Sequence, residues 1–255
     1  MIEVLGALGL VAFLIASVAI GVRLLMIGSR TGNVPELAIG IGFVVGAVVG
    51  YVPETVVLST DLMDPQTETS VLAMTQIALR GAPLALVVFT VSVFRPSELW
   101  ARALAVSILV ALVVSWVAFP STRIYAQSDV DVFWYDVFAV SRSLAAAWAA
   151  AESFLYYKRA RLQVNLGLMS PVLANRFWLW GVGLSALTAL MGSTIWAALL
   201  GIDPAVSGWV LLESLFGMMG AFTLWLTFFP GRAYKRYVDR KWSIAQGGPE
   251  VPIDG

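Results

Sequence analysis

Residues 70–94 read SVLAMTQIALRGAPLALVVFTVSVF, an apolar run interrupted by one guanidinium, Arg80. A helix rises about 1.5 Å per residue, so a run of this length crosses a hydrocarbon core about 30 Å thick. Arg80 then lies roughly 12 to 15 Å inside that core, where an ionised group is costly. Two more apolar runs carry a charge at the same depth, Arg142 in 132–157 and Glu213 in 205–229. Residues of this kind normally face protein or a cavity and mark candidate functional positions.

The composition agrees with a membrane environment. The chain has 255 residues, 59% hydrophobic and 13% charged, with a mean hydropathy of +0.84, far from soluble averages. The length leaves room for one compact bundle without a separate soluble domain. Hydropathy and turn chemistry give seven spans, 4–27, 34–53, 70–94, 99–119, 132–157, 177–200 and 205–229. Between them stand Thr31-Gly32-Asn33 with Pro35, Asp64-Pro65, Arg95-Pro96-Ser97, Pro120-Ser121, Ser170-Pro171 and Asp203-Pro204, and Pro230-Gly231 follows the last. The first span is expected to be retained, because its apolar stretch is long and is preceded by Glu3 instead of a basic segment. The expected fold is therefore an all-α membrane protein, a seven-transmembrane-helix bundle over 1–230. Residues 231–255 form a basic juxtamembrane segment and a disordered cytoplasmic tail.

Orientation follows from the basic residues. Apart from Arg80 and Arg142 within the spans, every lysine and arginine except Arg123 falls on one side of the seven-span arrangement. The opposite side collects Glu3, Glu54, Asp61, Asp64, Glu68, Asp129, Asp131 and Asp203. The N-terminus is expected outside and the C-terminus in the cytoplasm. Spans 3, 5 and 7 then run in the same direction, which places Arg80, Arg142 and Glu213 in one layer of the outer half.

Each of the three has neighbours on its own helix face. Gln76 precedes Arg80 by one turn, and Pro83 should bend span 3 and free the Leu79 carbonyl. Arg142 shares a face with Tyr135 and Phe138. Glu213 shares one with Trp209, Gly217 and Gly220, where small residues mark the close approach of another helix. One reading is an outer pocket in which Glu213 pairs with one arginine while the other meets an anionic or carbonyl-bearing ligand, a role suited to the bidentate guanidinium. The other is a structural ion pair, with the second arginine snorkelling toward headgroups or Asp136.

The missing residue types narrow the chemistry. There is no histidine and no cysteine, which removes the usual ligands of haem, copper, zinc and iron–sulfur sites and the base of Ser-His hydrolases. No Gly-rich phosphate loop or nucleotide fingerprint is present. No catalytic residue, metal, cofactor or nucleic-acid partner is expected. Ala151-Glu152-Ser153 to Arg159 has one glutamate of the paired-glutamate motif of intramembrane prenyl-endopeptidases, without the second glutamate or the histidine motif.

Span 2 carries Gly42, Gly46 and Gly50 at helical spacing, a stripe for packing against a helix of the same chain or, as a second reading, for a homo-oligomer seam. Alanines around Trp148 suggest similar close packing in span 5. After the last span, Arg232, Lys235, Arg236, Arg240 and Lys241 alternate with Tyr234, Tyr237 and Trp242, fitting a short helix on anionic lipid. Gln246 to Gly255 are expected to be disordered. Trp100, Trp116, Trp134, Trp178 and Trp209 fall near span ends, as interfacial belts do.

The seven spans with an outside N-terminus resemble the topology of microbial rhodopsins, but the last span reads Glu213-Ser214-Leu215-Phe216-Gly217-Met218-Met219-Gly220, without the Schiff-base lysine. Retinal is thereby excluded. Pro35-Glu36-Leu37-Ala38-Ile39-Gly40 and Phe228-Phe229-Pro230-Gly231-Arg232-Ala233-Tyr234 resemble segments of uncharacterised bacterial seven-helix membrane proteins, which implies a bacterial inner-membrane location. The expected function is non-enzymatic binding or sensing of an amphipathic or anionic ligand, with membrane lipids as partners. The alternatives are a small transporter or a structural subunit of a membrane complex.

Overall fold

The computed structural model describes residues 2–60, 63–119, 129–201 and 207–245. Asp61, Arg123, Asp203, the turns Pro120-Ser121 and Asp203-Pro204, and Gln246 to Gly255 lie outside the described residues. The described chain is helical, with no strand: α1 (Ile2–Thr31), α2 (Val34–Val45), α3 (Val52–Ser59), α4 (Pro65–Phe94), α5 (Leu99–Ala118), α6 (Asp129–Asn165), α7 (Pro171–Leu200), α8 (Ser207–Phe228) and α9 (Arg232–Ala245). Among the described residues five helices are long and apolar enough to cross a membrane: α1, the α2–α3 helix, α4, α5 and α8. They suggest a multi-pass membrane protein.

Local chemistry ends these helices where turn residues stand. Gly32 adopts φ 69° and donates its N–H to the Gly28 carbonyl, the left-handed exit from a helix that glycine adopts without strain. Asp64 caps α4, its Oδ1 accepting from the Gln66 and Thr67 amides at 3.1 Å. Span 2 extends beyond its expected end at residue 53. The chain passes from α2 through a π-helical turn, Gly46–Tyr51, directly into α3. Pro53 follows the π turn directly; lacking an N–H it cannot continue the hydrogen-bond ladder, and the irregular turn stands where that ladder is interrupted.

Six helices close into a ring in the order α1, α2–α3, α4, α6, α7, α8 and back to α1, while α5 packs outside against α4 and α6. Named contacts set the register. Gly21 approaches Gly40, and Gly42, Gly46 and Gly50 face Ala85, Ala82 and Leu79, so α2 is antiparallel to both α1 and α4. Gly9 meets Ser214 while Arg23 covers Phe229, so α8 is parallel to α1. Ser193 meets Glu213 and Gly183 meets Leu224, so α7 is antiparallel to α8.

The ring is filled at one end and hollow at the other. Toward the filled end the buried Trp180 ring lies 6.4, 5.8 and 5.4 Å from those of Phe43, Phe89 and Phe228. These four rings, from four helices, belong to a core that includes Ile20, Leu24, Ala149, Leu184 and Leu224. At the filled end Arg95 Nε donates to Glu152 Oε1 at 2.8 Å, and Trp148 Nε1 donates to the same oxygen at 3.3 Å. Trp148 packs against the Trp100 ring of α5, 5.9 Å between centroids.

Helix α9 docks on α7. Arg232, Lys235, Arg236 and Lys241 are exposed and Arg240 half-buried, while Val238 is buried. Asn175 Nδ2 donates to the Tyr234 hydroxyl at 2.5 Å, and Trp242 packs on Ala160, Val164 and Ala174. Burial pushes the Tyr234 phenol above its ordinary 10.0, an effect that the Asn175 hydrogen bond partly offsets. A raised value in the docked state means that this contribution is complete below pH 10.0 and is lost as pH rises through the shifted value. The Trp242 emission, isolated by difference from a Trp242→Phe variant, should therefore stay constant up to that pH and change above it. Tyr234→Phe should abolish the transition; its persistence there would assign it to another group.

Candidate functional site

The hollow end contains a cavity of about 450 Å³, within the range of about 300 to 1,000 Å³ usual for small-molecule sites. All six ring helices contribute. Gly9, Leu10 and Phe13 come from α1, and Tyr51 and Glu54 from the π turn and α3. Gln76 and Leu79 come from α4, and Tyr135, Phe138 and Arg142 from α6. The far wall is Leu190, Met191 and Ser193 of α7 with Val210, Glu213, Ser214 and Gly217 of α8.

Arg80 stands behind this wall. It is 4% exposed, and its Nη1 donates to Gln76 Oε1 at 2.7 Å and to the Gln76 carbonyl at 3.3 Å. Its Nε reaches Ser115 Oγ of α5 at 3.4 Å, and its guanidinium lies 4.2 Å from the Phe138 ring centre. Gln76 passes the polarity on, its Nε2 donating to Glu54 Oε1 at 2.8 Å. Arg80, Gln76 and Glu54 thus form a chain in which an amide separates a buried cation from a carboxylate on the cavity wall.

Arg142 lines the cavity directly. Its guanidinium lies 5.0 Å from the same Phe138 ring, so one aromatic ring serves two cations, each contact worth about 0.5 to 2 kcal/mol. Its Nη2 donates to the Met191 carbonyl at 3.3 Å, and its Nε is buried without a hydrogen-bond partner. Glu213 accepts from the Ser193 hydroxyl. Arg142 and Glu213 therefore both lean on the same turn of α7 from opposite sides.

The expected pairing of Glu213 with an arginine is not formed: neither Arg80 nor Arg142 makes an ion pair with it, and Arg95 pairs with Glu152 instead. The reason lies in α7, which stands between α6 and α8 and offers each charged group a nearer polar partner. Arg142, Gln76, Tyr135, Glu213 and Gly217 share the cavity wall; Arg80, Trp209 and Gly220 do not. Trp209 Nε1 is buried without a partner, and Gly220 lies against Gly183 and Leu187. Arg142 points inward to Met191, not outward to Asp136.

Sequence reasoning missed Glu54, Tyr51 and Ser193. Glu54 follows Pro53 and reads as a loop acid outside span 2. The hint was its placement between Tyr51 and Thr55 at the end of a glycine stripe, on the helix that α4 must touch.

Below the polar cavity a narrower crevice of about 70 Å³ continues toward the aromatic core, sharing Phe13, Tyr51, Leu79, Phe138, Arg142 and Met191 with it. Its own walls add Ile39, Gly42, Phe43, Leu86, Leu184 and Leu187. Neither a family model, nor a curated protein, nor a solved structure matches the chain. The site is therefore read from its geometry alone.

Proposed function

We propose that the protein is a non-enzymatic membrane protein of seven crossings that binds or senses an amphipathic ligand in the polar cavity, with its N-terminus outside. The carrying observation is that the cavity is blind: polar groups line its wide end, apolar side chains its narrow end, and the Trp180 cluster fills the ring beyond. Such a dead end suits a binding site. A transporter in one state of its cycle would show the same shape, but its usual marks are internal repeats and broken helices, and no repeat is visible in this sequence. The parallel course of the first and last ring helices, α1 and α8, supports an odd number of crossings. The basic residues Arg23, Arg95, Lys158, Arg176 and Arg232 belong to the filled end, which is then cytoplasmic and leaves the cavity in the outer half.

The test is native mass spectrometry of the protein purified in non-ionic detergent, compared with Arg142→Gln and Glu213→Gln. The parent should release an amphipathic small molecule at about one per chain, and both variants should lose most of it, because each removes a charge-assisted contact. If all three release the same species in the same amounts, and the variants differ from the parent only in thermal stability, the charged residues serve packing and the proposal is wrong.

A further inference from the structure

The proposed pocket leaves the ligand's charge open, and its wall narrows that choice. The charged groups described on the wall are two carboxylates, Glu54 and Glu213, and one guanidinium, Arg142. Arg80 is not on this wall; Ser115 and Gln76 hold its Nε and Nη1, and its Nη2 is buried without a partner. A purely anionic ligand would bring like charge toward a wall with an acidic excess, in surroundings that screen poorly. A purely cationic one would face the carboxylates but bring like charge toward the Arg142 guanidinium on the same wall.

Arg142 and Glu213 border one space, on opposite sides of one turn of α7, yet do not join. A ligand with both charges can satisfy the two at once, and Tyr51 and Tyr135, aromatic side chains of the kind that attract an ammonium group, line the same space. The crevice that leaves the cavity beneath Arg142 is lined by Ile39, Leu86, Leu184 and Leu187, so its contents must be apolar. We infer that the cavity selects a zwitterionic amphiphile. Its ammonium group sits between Glu54 and Glu213, its anionic group is held by Arg142, and its chain runs through the wider cavity with only its tip in the crevice of about 70 Å³. This inference rests on the pocket reading above and specifies its ligand class. A zwitterionic bilayer lipid and a free single-chain amphiphile share the required chemistry.

The experiment uses three probes with the same dodecyl chain at submicellar concentration and pH 7: N-dodecyl-N,N-dimethylglycine, dodecyltrimethylammonium and dodecanoate. Binding to the full-length protein in nanodiscs is read by native mass spectrometry and thermal shift. The zwitterion should bind about tenfold or more tightly than either relative, the gain expected from one further charge-assisted hydrogen bond. Glu213→Gln and Glu54→Gln should each weaken the zwitterion and the cation by a similar factor and leave dodecanoate unaffected or tighter. Arg142→Gln should reduce the zwitterion to the level of the cation. Retained dodecanoate binding shows that a carboxylate variant is folded, and either variant suffices if the other fails to assemble.

If dodecanoate binds tightest in the parent and Arg142→Gln abolishes it, the pocket stands and the zwitterion inference falls. If the carboxylate variants hold the zwitterion as the parent does, the inference falls as well. Failure of all three probes to bind the parent overturns the pocket together with the inference. Comparing phosphatidylethanolamine with phosphatidylglycerol nanodiscs separates the sources. Loss of zwitterion binding only in the former assigns the site to the bilayer lipid, and equal binding in both assigns it to a free amphiphile; both results require a zwitterion-selective site.

Discussion

Gly42→Leu should prevent assembly of the bundle, and Gly42→Ala should lower its stability by about 1 to 3 kcal/mol, the usual cost of forcing extra atoms into a packed interface. A Cβ at residue 42 would sit 2.5 Å from the Ala85 Cβ of α4. Both atoms are fixed to backbone, so no rotamer change relieves the clash and two helices must separate. Gly46 is the milder case, 3.0 Å from the Ala82 Cβ, while at Gly50 the obstacle is the Leu79 Cδ2, 2.7 Å away at the tip of a side chain that can turn. The expected order of damage is Gly42→Ala, then Gly46→Ala, then Gly50→Ala, read as loss of monodisperse protein on heating in mild detergent. Combining Gly42→Ala with Ala85→Gly should restore most of the loss, since it removes the atom that is struck. Equal damage at residues 42 and 50 would show that the stripe does not work through this contact.

That stripe illustrates what sequence can reveal about such a fold. Long apolar runs bounded by Gly32, Asp64-Pro65 and Arg95-Pro96 mark helices, because these residues act through their own backbone chemistry within a few positions. The ring order is different in kind. In α5, Ile108 and Leu112 are buried while Leu109, Val110, Val113 and Val117 are exposed. Both faces are apolar because one meets protein and the other would meet lipid, so the contrast that orients a helix in a soluble protein is missing. Nothing in α5 itself tells that it stands outside the ring. The π turn was equally hidden, since Gly46 and Gly50 favour a close approach but the register in which Ala82 and Leu79 meet them is a property of α4.

The site was legible where charge broke an apolar run. Arg80, Arg142 and Glu213 declared themselves by being costly, and Gln76 and Tyr135 by their helical spacing from an arginine. Their partners were not, because Ser193 is an ordinary helix residue and Glu54 stands beside a proline in a stretch with the composition of a loop. Even the role of Arg80 could not be read from its depth: whether it faces the cavity or supports a neighbour depends on which way its guanidinium turns, and Ser115 and Phe138 turn it away.

Gln76→Leu should therefore be more damaging than removing the charge it serves. The amide accepts from Arg80 Nη1 and donates to Glu54. Its loss leaves a guanidinium at 4% exposure with weaker contacts to Ser115 and the Gln76 carbonyl, and takes away the hydrogen bond that orients Glu54. Leaving a buried ion without its partner typically costs about 3 to 5 kcal/mol. Arg80→Met removes the cation along with its desolvation and should cost less. The double variant Gln76→Leu/Arg80→Met should then be more stable than Gln76→Leu alone, a coupling of about 1 to 3 kcal/mol measurable by detergent-denaturant unfolding. Gln76→Glu separates the two halves of the chain: it gives Arg80 a counter-charge but sets a second carboxylate against Glu54. Arg80 would then remain supported while the ligand site is disturbed. If Gln76→Leu unfolds no more readily than Arg80→Met, the amide is not what makes the buried cation tolerable, and support must come from the Phe138 ring and Ser115.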